Sequence, residues 1–310
     1  MKARTAIKQG LALAWRSRSV VWILLLANLA IAALAALPIY QGILRFTGNS
    51  LMSGRLATGF SPDWLTDFAF NSPGSLGRYA GVILWFGLLA IPVNSILAGG
   101  VLGRFLAGEQ KYSTGDFFRS VRRYAWQMLG LMVIGLICYW GVFRLVNQML
   151  GHRADLYTRD WLSDRSVFWV KLGVTVLVLL GLLFINLILD YARVMLVSSE
   201  GISVLEAFLG AIGFSLGRLR RAVTVYALPA LGGLALLVVY RFVVPWSMVN
   251  ATGGAGSLQQ YREPFVLALL FLGQQLIMFG RYWFRVATWA SEWNFHAGTR
   301  PRAPENEPAA

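Results

Sequence analysis

Few residues in this 310-residue chain have the types and spacing that chemistry requires. Asp190 and Arg193 stand three apart inside the apolar run NLILDYARVMLV, where ionisable groups either mark a functional site or simply pair with each other and snorkel at the cytoplasmic end of the span. A second pattern occurs twice. RVMLVSSE (193–200) and RVATWASE (285–292) both read Arg-Val, three variable residues, a small residue, Ser and Glu. Arg193 and Glu200, and again Arg285 and Glu292, therefore lie seven apart on one helix face, about 10 Å along the axis. That exceeds the reach of an i,i+4 pair, so each Arg is expected to meet the Glu of the next copy. Arg104 heads a looser copy, with Glu109 only five residues on. Arg104, Asp190, Arg193, Glu200, Arg285 and Glu292 are thus the candidate polar contacts between repeats.

Catalytic and metal constellations are missing from the sequence. The only histidines are His152, in an outer loop, and His296, in the tail, so HExxH and His-rich metal sites cannot be written. The single cysteine, Cys138, falls mid-membrane and reads as a small buried apolar residue. No G-x-S-x-G elbow, P-loop or post-strand GxGxxG is present. No catalytic residue, cofactor or metal is expected, and the chain reads as a non-enzyme.

The elements that must carry these residues are membrane helices. Hydrophobic residues make up 57% of the chain and charged ones 14%, outside the soluble globular range. Uncharged runs span Ser19–Leu44, Tyr79–Gly103, Tyr124–Phe143, Leu172–Leu189, Ala222–Tyr240 and Pro264–Gly280. Each approaches the roughly 20 residues that cross about 30 Å of hydrocarbon. Their continuous apolarity implies helices, since barrel strands alternate. The first run is too long for a signal-peptide core and reads as an uncleaved span.

The net charge of +14 raises the question of nucleic acid. Its placement answers otherwise. With the amino terminus inside, 18 of the 28 Lys and Arg fall on the cytoplasmic side, as the positive-inside rule requires. Both termini are therefore expected in the cytoplasm, with anionic headgroups as partners and no nucleic acid.

The chain also repeats itself. Ser113–Phe118 and Ser203–Phe208 both read S-x-x-[DE]-x-F, a helix start in which the serine oxygen accepts an orphan backbone N–H and the acid reaches back. Apolar stripes follow: Phe117, Phe118, Val121, Tyr124 and Ala125 in one, and Leu205, Phe208, Leu209, Ile212, Leu216 and Leu219 in the other. The amino terminus shows Ile7, Leu11 and Trp15 at i, i+4, i+8. Each stripe leads to basic residues (Arg16 with Arg18, Arg122-Arg123, Arg220-Arg221) and then a span. The unit is an interfacial helix, a basic elbow and a transmembrane hairpin, three times over: about 1–107, 108–199 and 200–297, one transmembrane domain. The tail, 298–310, reads as disordered.

Asn94, Asn186, Gln274 and Gln275 lie deep in the spans. They either bond between helices or line a path. Gly99, Gly100 and Gly103, and Gly210, Gly213 and Gly217, allow close helix approach. Arg144 and Lys171 reach the outer headgroups or pair with Asp155, Asp160 and Asp164. The outer loop 46–78 carries Phe60, Trp64, Leu65, Phe68 and Phe70, which predict a short interfacial helix that caps the bundle or docks a partner.

The stretch Leu187–Leu236, with its inner-end Arg, Ser/Glu-capped E-A-F helix, R-x-R-R and following span, resembles bacterial multi-pass families of unassigned function. Among these is the membrane region attached to some glycerophosphoryl diester phosphodiesterases. That region is not the catalytic part, so the resemblance implies no activity. It implies a bacterial inner membrane. DYAR at 190–193 is also similar to the D-G-x-x-A-R start of lipid alcohol phosphotransferases, but the further metal-holding aspartates of that family are absent. The expected function is a scaffold or accessory subunit in envelope or lipid handling, working with a protein partner in a membrane complex. The alternative is a transport component with a polar path between the repeats.

Overall fold

The computed structural model describes residues 2–48, 62–72, 74–108, 110–159, 161, 163–199, 201–251 and 264–299. Its helices are α1 (Ala3–Arg16), α2 (Arg18–Thr47), α3 (Pro62–Asn71), α4 (Ser75–Leu106) and α5 (Thr114–Val142). A π-helical segment (Phe143–Leu150) leads to α6 (Gly151–Thr158). Then come α7 (Asp164–Ser198), α8 (Val204–Gly217), α9 (Leu219–Ala251) and α10 (Pro264–Ala297). No strand occurs among the described residues.

Five stretches are long and apolar enough to cross a bilayer: Arg18–Thr47, Ser75–Leu106, Thr114–Thr158, Arg165–Ser198 and Leu219–Tyr240. The sixth apolar run lies on α10, of 34 residues. In hydrocarbon only a helix satisfies every backbone group within its own segment. The chain is an all-helical, multi-pass membrane protein. One expected loop is helical: the outer connection after the third run continues as the π segment and α6, which carries His152; within 46–78 the expected short helix is present as α3. His296, expected in the tail, is a buried residue of α10.

Contacts divide the chain into two compact units. One comprises Met1–Arg16, Ser95–Pro229 and Val286–Ala310, the other Ser17–Asn94 and Ala230–Arg285. In the first, the C-terminal stretches of three helices are buried on nearly every side: Ser95–Phe105 of α4, Leu187–Val197 of α7 and Val286–Glu292 of α10. A helix apolar all round must be enclosed by others. Its core joins Leu187, Tyr191 and Leu196 to Ala207 and Ala211 of α8, Ala222 and Val225 of α9, Phe295 of α10 and Ala6 of α1.

Each helix with an amphipathic start rests on one of those buried stretches. The first turns of α5 lie on α4, so close that a Cβ on Gly100 would come within 2.6 Å of Phe117 and Val121, and one on Gly103 within 2.5 Å of Ser120. Ser95 Oγ donates to the Met128 carbonyl across the same seam, at 3.0 Å. α8 lies on α7, with Phe214 and Tyr191 rings 5.1 Å apart. α1 lies on α10, where a Cβ on Gly10 would sit 2.6 Å from Ser291 Cα and N.

In α1 and α8 the residues turned to neighbouring helices are small, and the large residues of the expected stripes lie mainly outside that contact. In α1 the buried residues are Ala6, Gly10 and Ala14, while Trp15 is 63% exposed. In α8 they are Ala207, Ala211 and Ser215, while Leu205, Leu209, Leu216 and the adjoining Leu219 face outward. Lipid tails are as apolar as leucine, so large side chains gain nothing by turning inward, and small residues let backbones close up. In α5 bulky residues of the stripe, Phe117 and Tyr124, are fully turned in, while Ile7 of α1 and Phe208 and Ile212 of α8 pack against the core only in part.

Two of the three expected elbows form. The chain breaks at Ser17 (φ −99°, ψ 25°) between α1 and α2, and at Arg218 (φ −136°, ψ 32°) between α8 and α9. α5 has none and runs through Arg122-Arg123 into its apolar run. Ser120 stands near this basic pair as Ser17 does beside Arg18, but it packs against Gly103 and accepts the Tyr112 hydroxyl hydrogen bond within a continuous helix. Both expected capping boxes are present. Ser113 Oγ accepts the Asp116 N–H and Ser203 Oγ the Glu206 N–H, each at 3.2 Å, and each acid accepts its serine's N–H. A glycine at positive φ, Gly108 (62°) or Gly201 (85°), turns the chain ahead of each box, a conformation in which a Cβ is strained.

Candidate functional site

The densest polar chemistry of the first unit is on the buried end of α7. Asp190 is fully buried; its Oδ1 pairs with Arg193 at 2.5 Å and accepts the indole N–H of Trp289 on α10 at 3.0 Å. A carboxylate here costs several kcal/mol of desolvation unless paired and hydrogen-bonded, and these two partners supply that. Arg193 is only 14% exposed, its charge held by its neighbour one turn back. The expected Asp190–Arg193 pair is therefore present. Trp289, inside the second RVATWASE copy, was not legible as a partner, because indole N–H donors carry no spacing signature.

Tyr191 and Glu292 are both fully buried, and the Glu292 and Asp190 carboxylates lie within electrostatic range of the Tyr191 hydroxyl. His296 is buried, its ring 5.4 Å from Phe214. The two sequence copies thus end differently: α7 stops at Ser198, while α10 carries Glu292 on to Ala297 inside the core. Glu200 and Glu109 lie outside the described residues. Arg104 serves its own helix end instead, donating to the carbonyls of Gly108 at 2.8 Å and Gln110 at 3.4 Å. That is the usual favourable place for a cation. Beside it, Tyr112 hydrogen-bonds the Gly100 carbonyl and the Ser120 hydroxyl, each at 3.0 Å. Burial pushes its phenol above the ordinary value. Arg285 belongs to the other unit.

The deep amides are engaged separately. In the second unit Asn94 and Asn28 form a reciprocal pair, each Nδ2 donating to the other's Oδ1 at 2.8 Å and to a carbonyl four residues back. Asn28 escaped sequence reading because one amide in a 26-residue apolar run carries no partner information. In the first unit Asn186 Oδ1 accepts the Tyr139 hydroxyl at 2.9 Å. Gln274 is exposed and Gln275 half-buried on α10. On the expected outer side Lys171 pairs with Asp155 at 3.0 Å.

Basic residues gather at the start of α1 and the α8–α9 break. A recess of about 710 Å³ is lined by Gly217, Arg218, Leu219, Arg220 and Arg221. A second, of about 450 Å³, is lined by Lys2, Ala3, Arg4 and again Arg221. No group of three or more His, Cys, Asp or Glu suited to a metal ion occurs among the described residues. No family model, curated protein or solved structure matches the chain.

Proposed function

We propose that this chain is a non-enzymatic protein of the bacterial inner membrane, six-spanning with both termini cytoplasmic, and that it acts as a scaffold or accessory subunit in envelope or lipid handling. Three copies of an interfacial helix and a transmembrane hairpin build it. The packing supports the repeat: α5 rests on the returning helix of the first copy, α8 on that of the second, and α1 on that of the third. The outward leucines of α8 and Trp15 of α1 suit helices lying in the headgroup layer with basic residues beside them. Kinship with the multi-pass families named above is part of this reading.

One observation favours a scaffold over a transporter. Asn28, Asn94 and Asn186, the polar groups a path would use, spend their hydrogen bonds on one another, on tyrosine and on backbone carbonyls. Amides used so act as interhelical glue, at about 0.6 kcal/mol each. The transport reading keeps one support, since Gln274 and Gln275 have no hydrogen bond among the described residues. Single cysteines at 94, 186 and 274 in a Cys138→Ser background, treated with a membrane-impermeant thiol reagent, decide between them. The scaffold reading expects no labelling at 94 or 186 and a stoichiometric companion protein on detergent purification. Labelling at both sites would establish a water path and overturn it.

A further inference from the structure

The two basic recesses share a residue, and that sharing indicates what fills them. Arg221 lines both, so Arg218, Arg220 and Arg221 on one side and Lys2 and Arg4 on the other converge on adjoining concavities from elements more than 200 residues apart in sequence. No acid lines either recess. Arg119 pairs with Asp116 and Lys171 with Asp155, whereas none of these five has an ion pair among the described residues. Five uncompensated cations repel one another, and a fold that gathers them is at its most stable with anions between them.

The local backbone adds to the field. The break at Arg218 starts α9 at Leu219, and the Arg218 carbonyl is used by the N–H groups of Arg221 and Ala222. The N–H groups of Leu219 and Arg220 therefore have no carbonyl one turn earlier in their own helix, and they add the positive end of the helix dipole to the guanidinium groups. The second recess sits likewise at the first residues of α1. Arg218 is held in place by the Phe214 ring, 5.0 Å from its guanidinium carbon.

We propose that the paired recesses bind the two phosphates of one anionic phospholipid of the diphosphatidylglycerol class, one phosphate in each, with Arg221 between them. The lipid source follows from the surroundings. Leu209, Leu216 and Leu219 beside the break are exposed, giving acyl chains an apolar surface next to the charge. This rests on the reading that α1 and α8 lie in the headgroup layer.

The test uses the full-length protein in detergent, titrated with diphosphatidylglycerol, phosphatidylglycerol and phosphatidylcholine and read by native mass spectrometry. The wild type binds one diphosphatidylglycerol in preference to the other two. Arg221→Gln weakens that lipid about fivefold, and Lys2→Gln with Arg4→Gln weakens it further by about fivefold per charge. Arg153→Gln, an equal charge loss elsewhere, changes it less than twofold. All the substituted side chains are exposed, so thermal midpoints without lipid stay together. Equal affinity for one-phosphate and two-phosphate lipids would overturn the proposal, as would the same loss from Arg153→Gln. So would competition by inorganic pyrophosphate at the lipid's own concentration, which would assign the site to a free anion. Topology reporters at residues 108–118 and 200–220 read the membrane arrangement independently, so either reading can fail without the other.

Discussion

α8 and the first turns of α5 begin alike and pack oppositely. Both open with a glycine turn, a serine cap and an acid three residues on, and both carry an aromatic two residues after the acid. In α5 the bulky Phe117 and Tyr124 are buried, because α4 presents Gly99, Gly100 and Gly103 to receive them. In α8 the small residues Ala207, Ala211 and Ser215 are buried, because α7 presents bulky ones, Leu187, Tyr191 and Leu196. Close approach requires small residues on one side of each seam, and it does not matter which. α1 shows how near this can bring two helices, through Gly10 against the Ser291 backbone.

The largest perturbation removes the foundation of α8 and leaves α5 seated. Asp190→Ala strips the partner from Arg193 and the acceptor from Trp289 inside the core that supports α8. Losing one member of a buried pair costs about 3–5 kcal/mol. Unfolding followed in detergent should drop by that order, with early loss of hydrogen-exchange protection in 204–217 and later loss in 114–125. Simultaneous loss would show that the two seams are one cooperative body.

Glycine substitutions come next, and their sign separates seams from surfaces. Gly10→Val drives a branched side chain into backbone and should cost about 1–3 kcal/mol. Gly103→Val meets Ser120 at the level of its Cβ, with a similar expectation. Gly213, on the open face of α8, has nothing within 4 Å, so Gly213→Ala should gain up to about 1 kcal/mol of helix propensity. Thermal midpoints of the three variants decide it; a loss at Gly213 would mean that α8's outer face is covered.

Exchanging large and small residues sharpens the same point. Ala211→Leu, into the seam, should cost about 1–3 kcal/mol. Leu209→Asn, on the exposed face, should leave unfolding within about 0.5 kcal/mol of wild type while weakening association of 204–217 with the bilayer surface, read by quenching with lipid-borne probes. Destabilisation by Leu209→Asn equal to that of Ala211→Leu would show that the leucine face is packed against protein.

What the chain disclosed in advance follows this physics. Five of the apolar runs, the caps and the Asp190–Arg193 pair depend on local spacing, and each is where spacing puts it. Which stripe faces inward depends on the neighbouring helix, and hydrophobicity cannot decide that when lipid and protein are equally apolar. The Ile7-Leu11-Trp15 stripe is the face expected at the headgroup layer; the helix contact is Ala6-Gly10-Ala14, at the same spacing one residue earlier, which hydrophobicity does not mark. Asn28–Asn94 and Trp289–Asp190 join residues 66 and 99 apart, for which a single sequence offers no pairing signal. The missing elbow of α5 was not readable, since Arg119-Ser120 precedes Arg122 much as Arg16-Ser17 precedes Arg18.

The smallest effects test whether the two starts are energetically the same. Ser113→Ala and Ser203→Ala should each cost about 1 kcal/mol of local helix stability. Their acids add a pH dependence that can be signed at Glu206. Its hydrogen bonds from the Ser203 backbone N–H first, and then from the Ser203 hydroxyl, hold its carboxyl below the ordinary value of 4.5. A carboxyl depressed in the folded state stabilises fully above its unfolded value, and that support is lost as pH falls through the lower, folded one. Amide exchange at residues 204–207 should therefore be insensitive to pH above about 6, after correction for intrinsic rates, and should speed as pH approaches and passes below 4.5. In Glu206→Gln that acid-side change disappears, because an amide has no proton to take up and its weaker acceptor leaves the start equally frayed throughout. A wild-type profile as flat as the glutamine variant's would mean that the serine alone caps the helix and that the ionised acid adds nothing, through either the box or the helix dipole.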